Sequence, residues 1–212
     1  MQPLRAIIRR FDAWLSHMEG VEPFTDDPQC IMRIQVGSIG RTLVLPGATI
    51  PARAKVLRLH AWNERMPAIP PEGADLAYGL RLQRLTLASL KLIAQHILAN
   101  SSLQDTQAVG GVTAHVSLKE ADGGRQMLEH FGFTVMPYHR PFGAFGEFWE
   151  NFYTWWLMWT FNPASTRHRN LWDLQRTEFW MAKENFLKRY GMTFECNQQT
   201  CFPYLGPLSL FP

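Results

Sequence analysis

The sequence predicts an α+β fold in which a mixed sheet is covered by helices, and three observations predict it. Runs with strand-like alternation come first, then a long helical period, then a strand, a short helix and a further strand. Strands interleaved with helices in this way need a layered sheet to bury both kinds of apolar face. The 212 residues suit one domain, or one domain with a helical appendage, and 46% hydrophobic with 18% charged residues is the balance of a globular chain.

Taken in order, Leu4, Ile7, Ile8, Phe11, Leu15 and Met18 fall at three-and-four spacing and predict an amphipathic helix over residues 3 to 19. The expectation is that this apolar face packs on the domain, although its arginines (Arg5, Arg9, Arg10) would also suit an anionic lipid surface. The stretch TDDPQ breaks the helix, and IMRIQV, TLVLP and AKVLRLHAW then read as an antiparallel three-strand meander. After the proline-rich NERMPAIPPEGAD, residues 75 to 99 carry Leu76, Leu80, Leu87, Leu90, Ile93, Ala94 and Ile97 on one broad helical face. A strand (GGVTAHVSL), a short helix (GRQMLEHF) and a strand (FTVMPYH) follow, with Gly132 placed to end the helix.

Beyond Pro141 the chain turns aromatic, and a helical pair is expected near 145–161 and 170–190. The division predicted is a core over 1–141 with the N-terminal helix, a helical pair over 142–191 packed on it, and an irregular tail over 192–212.

Composition excludes several roles. The net charge of +3 is spread out, without the basic stripe that nucleic-acid binding requires. Three cysteines, Cys30, Cys196 and Cys201, form no disulfide framework and suit a reducing compartment. The N-terminus does not read as a signal peptide and no stretch reads as a membrane span, so the expected location is cytoplasmic, with peripheral membrane contact through the first helix as an option. His96, His115, His130 and His139 lack metal-ligand spacing, so no metal is expected, and nothing identifies a cofactor or an oligomeric state.

Two stretches carry chemistry. In LHAWNER, His60 points to the strand face opposite Leu57 and Leu59, and Asn63, Glu64 and Arg65 cluster where strand gives way to loop. His60, Asn63 and Glu64 are the catalytic candidates, with His60 as a base near neutrality, Glu64 orienting it or serving instead, and Arg65 as a substrate contact; the plainer alternative is a Glu64–Arg65 surface pair beside a satisfied core histidine. In FGEFWENFYTWWLMWTFNP, Glu147, Glu150, Asn151 and Thr154 form one polar stripe on a helix otherwise covered by aromatics. Buried carboxylates need partners. Arg167, Arg169 and Arg176 could supply them, the stripe could line an aromatic-walled pocket in which Glu147, Glu150, Asn151, Thr154 and Arg176 bind a ligand, or the helix could be a docking face for a membrane or a protein. Glu178 reads as a helix-surface charge.

The segments LHAWNERMPAIPPEGADLAYGLRL and FGEFWENFYTWWLMWTFNPAS resemble the YkoP-like family of bacterial proteins, over about Asp27 to Gly191. Its members occur alone or fused to polysaccharide deacetylases, and the resemblance implies no reaction. Deacetylase chemistry would need an Asp pair and an HxxxH motif, whereas this chain has only His60 and Glu64 at a strand end. The order of elements over 31 to 138, with LEHFGF near its end, also resembles the GNAT-type N-acyltransferases. That likeness implies an anion site at the start of the long helix. Two features depart from it: IPPEGADLAYG lacks the glycine-rich loop, and Leu128 stands where a catalytic tyrosine is frequent.

The function expected is therefore an enzyme, or former enzyme, on an acyltransferase-like scaffold, acting on a small or lipid- or sugar-linked substrate. The alternative is a non-catalytic ligand-binding module serving envelope polysaccharide or lipid metabolism.

Overall fold

A computed structural model describes residues 2–70, 72–114, 123–139, 143–161, 163–166, 174 and 176–191. Cys196, Cys201, the predicted tail, His115, Arg167 and Arg169 lie outside them. Along the chain run α1 (Gln2–Glu19), β1 (Met32–Ser38), β2 (Leu43–Leu45), β3 (Ala48–Ile50), β4 (Lys55–Ala61) and α2 (Leu76–Ala99). They are followed by β5 (Ala108–Thr113), α3 (Gly123–His130), β6 (Thr134–Pro137), α4 (Gly143–Phe161), β7 (Thr177–Ala182) and α5 (Lys183–Tyr190).

The main sheet has the order β1-β4-β5-β7-β6. β4 and β5 are parallel because α2 carries the chain back between them, and the other three pairings are antiparallel. Pro137, which cannot donate to a ladder, falls at the end of the edge strand β6. The mixed α+β sheet, the N-terminal helix and the C-terminal aromatic helix are as the sequence predicts, and the differences lie in which segments complete the sheet.

The middle run of the predicted meander does not enter the main sheet. Leu43–Leu45 turns on Gly47 to pair with Ala48–Ile50 as a separate hairpin, and β1 pairs directly with β4. That hairpin caps one end of the sheet face, where Leu43, Leu45 and Ile50 cluster with Val56, Ala108, Trp180 and Ala182. The predicted helix over 170–190 is a helix only from Lys183. Residues Thr177–Ala182 form β7, which sits between β5 and β6 and is buried at all six positions. A strand covered on both faces shows no alternation, so TEFWMA does not announce itself as one.

The opposite face of the sheet, formed by Ile34, Leu57, Leu59, Val109, Phe179 and Met181, packs on α2 and α5. Only the second half of α2 joins this core. Leu90, Ile93, Ala94 and Ile97 are fully buried, while Leu76, Leu80 and Leu87 are exposed. Asp75 starts the helix by accepting the Tyr78 N–H at 2.7 Å.

The expected burial of α1 is also corrected. Ile8 and Asp12 are buried, whereas Ile7, Phe11 and Met18 face outward. The helix is turned so that its polar Asp12 and Ser16 meet an arginine of the sheet.

Candidate functional site

Between the hairpin-capped end and α1, the sheet face is polar. Strand alternation puts Arg33 and Gln35 of β1 and Arg58 and His60 of β4 on it, in register as Arg33↔His60 and Gln35↔Arg58. Arg33 meets Asp12 at 3.6 Å and donates to the Ser16 hydroxyl at 3.3 Å, and Arg58 donates to the Ser38 carbonyl at 2.9 Å. From α4, the Tyr153 hydroxyl donates to Asp12 at 2.7 Å. Burial, then that bond, raises the Tyr153 pKa far above its ordinary value, so the hydroxyl stays a donor. Asp12 Oδ2 and Arg33 Nε are buried without hydrogen-bond partners, so the layer keeps unused polar capacity.

His60 is the centre of this layer. Gln35 spends its amide N–H on the Glu19 carbonyl at 2.7 Å and presents Oε1 to His60 Nε2 at 3.0 Å. An amide oxygen only accepts, so Nε2 carries the ring proton and Nδ1 keeps its lone pair. Burial, with the positive charges of Arg33 and Arg58 added, lowers the His60 pKa to about 4. The ring is therefore neutral at physiological pH. Glu19 is shifted the other way: burial raises its pKa, Arg58 opposes this, and Asp12 and Glu150 add to it.

The His60 shift predicts a pH dependence of stability. Unfolded, the ring protonates near 6.5, and folded near 4, so the unfolded chain binds the extra proton between those values. Stability is full above about 6.5 and falls as the pH drops through the window, by at most about 3 kcal/mol. Urea denaturation of His60→Gln should show this part of the acid limb flattened. An unchanged slope would contradict it.

The β4–β5 ladder ends just before His60, with Gly111 still packed on the Leu59 backbone. The β4–β5 register ends at Arg58↔Gly110, although β4 continues to Ala61 and β5 to Thr113. Val112, in a central strand, is 40% exposed there.

The α4 stripe lies next to this layer. Arg176 Nε donates to Asn151 Oδ1 at 3.0 Å and lies 3.3 Å from Glu150 Oε2, while its Nη2 donates to the Thr154 hydroxyl at 3.0 Å. The Tyr138 hydroxyl donates to Glu150 at 2.8 Å, and Asn151 donates to the Leu174 carbonyl at 3.2 Å. Arg176 thus gathers three of the predicted stripe residues. Glu147 is placed on α4 by its backbone alone. Burial, then the bond to Glu150, raises the Tyr138 pKa well above its usual value. Removing the guanidinium in Arg176→Ala should cost about 2–3 kcal/mol, because Glu150 and Asn151 lose their shared donor. A urea midpoint close to the unsubstituted protein's would show that water replaces it.

Sequence reasoning missed Glu178. In β7 it is 4% exposed, and its carboxylate accepts from Arg41 at 3.2 Å, the Trp180 indole at 2.8 Å and the His139 backbone N–H at 2.8 Å. The helix-surface assignment fails because the residue lies in a strand covered on both sides. The available signal was composition, since Thr177, Phe179 and Trp180 favour strands.

A family model described as the YkoP domain matches residues 2–190. The chain belongs to the YkoP family. No curated protein and no solved structure matches it. Within this YkoP domain the LHAWNER candidates separate. His60 lies in the polar layer. Arg65 folds back, donating to the carbonyls of Asp27 at 2.6 Å and Cys30 at 3.4 Å and stacking 3.6 Å from the Trp62 ring centre. That leaves Asn63 half-exposed and Glu64 exposed in the turn after β4. Among the described residues, no three His, Cys, Asp or Glu side chains group as a metal would need. No helix of the described chain is long and apolar enough to cross a membrane.

Proposed function

We propose that this YkoP domain is an enzyme on an acyltransferase-like α+β scaffold, with the polar layer under α1 and α4 as its active site. The observation that carries the reading is a neutral histidine with a free Nδ1, fixed by Gln35 between two arginines, beside the end of the β4–β5 ladder. A substrate hydroxyl or amine would donate to Nδ1, and Arg33 and Arg58 would attract an anionic part of the same molecule. Such an anion would offset the arginine charges that depress His60, so binding would raise its basicity when a proton must be taken. As the acceptor oxygen or nitrogen bonds to an acyl carbon, its proton passes to Nδ1 and the donor's leaving group departs with the electron pair. The parallel β4–β5 pair and the helix between them support the acyltransferase likeness. Asp75 at the start of α2 speaks against a pyrophosphate there, so the acyl donor is left open.

The test is release of free thiol from short acyl thioesters in the presence of amine and hydroxyl acceptors. His60→Gln should lower turnover by about a hundredfold or more while leaving far-ultraviolet circular dichroism unchanged. Turnover unaffected by the substitution would end the assignment of His60, and absence of turnover across donors would end the acyltransferase reading.

A second reading, a non-catalytic module that binds a glycan, rests on a different surface. Phe145 is 76% and Trp149 52% exposed on α4, with ring centroids 6.2 Å apart. Flat aromatic faces of this kind suit the apolar face of a sugar ring. Quenching of tryptophan emission by soluble oligosaccharides, lost in Trp149→Ala, would favour it.

A further inference from the structure

The orientation of α1 leaves an apolar stripe outside the protein. Ile7 is 62%, Phe11 42%, Trp14 57% and Met18 66% exposed, and the spacing of four, three and four places them along one line of the helix. The Phe11 and Trp14 rings lie 5.8 Å apart, so the stripe has a continuous aromatic centre.

Arg10 and His17 are exposed along one flank of the stripe, and Arg9 is exposed on the far side of the helix. Of the two carboxylates of the helix, Asp12 is buried against Arg33 and Tyr153, and Glu19 is exposed at the last residue, more than two turns from Arg10. Arg9 also spreads over the Phe161 ring, 5.3 Å from its centre, which anchors α1 to α4 without consuming its charge.

We infer that α1 docks in the plane of an anionic lipid bilayer, with Ile7, Phe11, Trp14 and Met18 in the headgroup–acyl boundary and Arg10 on a lipid phosphate. The combination of a Trp- and Phe-bearing apolar line with an adjacent arginine suits an interfacial helix. A second copy of the chain is a poorer occupant, since it would offer Arg10 only Glu19, at one end of the stripe, as an exposed carboxylate of the helix. The inference is independent of any chemistry at His60.

The experiment is co-sedimentation of the full chain with phosphatidylcholine vesicles, with and without phosphatidylglycerol. Binding to the anionic vesicles is expected, weakened by salt and lowered about fivefold for Arg10→Gln. Trp14→Ser with Met18→Ser should abolish it, and both positions are exposed enough for circular dichroism to stay unchanged. Failure to sediment, or equal binding to the neutral vesicles, would overturn the inference. So would concentration-dependent self-association that the Trp14→Ser, Met18→Ser protein loses, in the absence of vesicle binding.

Discussion

Gly110→Ala should not yield a folded protein under ordinary conditions. Gly110 lies in β5, opposite Trp180 of β7, and a Cβ there would sit 2.1 Å from the Phe179 carbonyl oxygen, 2.6 Å from the Trp180 ring and 2.8 Å from its Cα. Two of those three atoms are backbone, so no side-chain rotation relieves the clash. β5 and β7 would have to separate in the middle of the sheet. A loss of about 4 kcal/mol or more is expected, against a total of about 5–15 kcal/mol for domains of this kind. Gly79→Ala is the matching control. Nothing lies within 4 Å of its Cβ position, and it sits inside α2, so the substitution should stabilise by about 0.5–1 kcal/mol. Urea denaturation of both proteins checks the pair, and a folded Gly110→Ala protein of ordinary stability would contradict the packing of β5 on β7.

Glu178→Ala should be the most damaging loss of a charged side chain. It strands the Trp180 indole N–H, the His139 N–H and the Arg41 guanidinium at once. Unpairing buried polar groups of this kind costs about 3–5 kcal/mol. Arg41, with a third of its side chain exposed, can still reach water, which places the expectation near about 3 kcal/mol. Arg41→Ala alone should cost less, because Glu178 keeps its two other donors. A double-mutant cycle would then show coupling between the pair. A Glu178→Ala protein within about 0.5 kcal/mol of the original would mean that the carboxylate is hydrated and not held as described.

These two sites also show where the sequence was readable. Elements with an unambiguous period could be found from it: the helix through Leu90, Ile93 and Ile97, and the strand that alternates Leu57, Leu59 with Arg58, His60. The polar partners of α4 were partly readable too, because Arg176 is a cation near in sequence to Glu150, Asn151 and Thr154. What could not be read depended on distant segments. β7 has no alternation because β5, β6 and both covering layers bury it from every side. The orientation of α1 was set by Asp12 finding Arg33, a residue in another element. A helical period shows where the apolar line is but not whether anything covers it. His60 was singled out as a candidate base from its strand position. Its lowered basicity comes first from burial in the layer and then from Arg33 and Arg58, which register brings beside it.

The claim on which the proposed function depends is that His60 is held neutral, with Nδ1 open, in the polar layer. The most direct measurement is a pH titration of its ring nitrogens by NMR, assigned by the loss of signals in His60→Gln. The account predicts an Nε2-protonated ring that stays neutral through pH 6 and titrates near about 4. A ring that titrates at its ordinary value near 6.5 would contradict the account, since that is the behaviour of a solvated surface histidine.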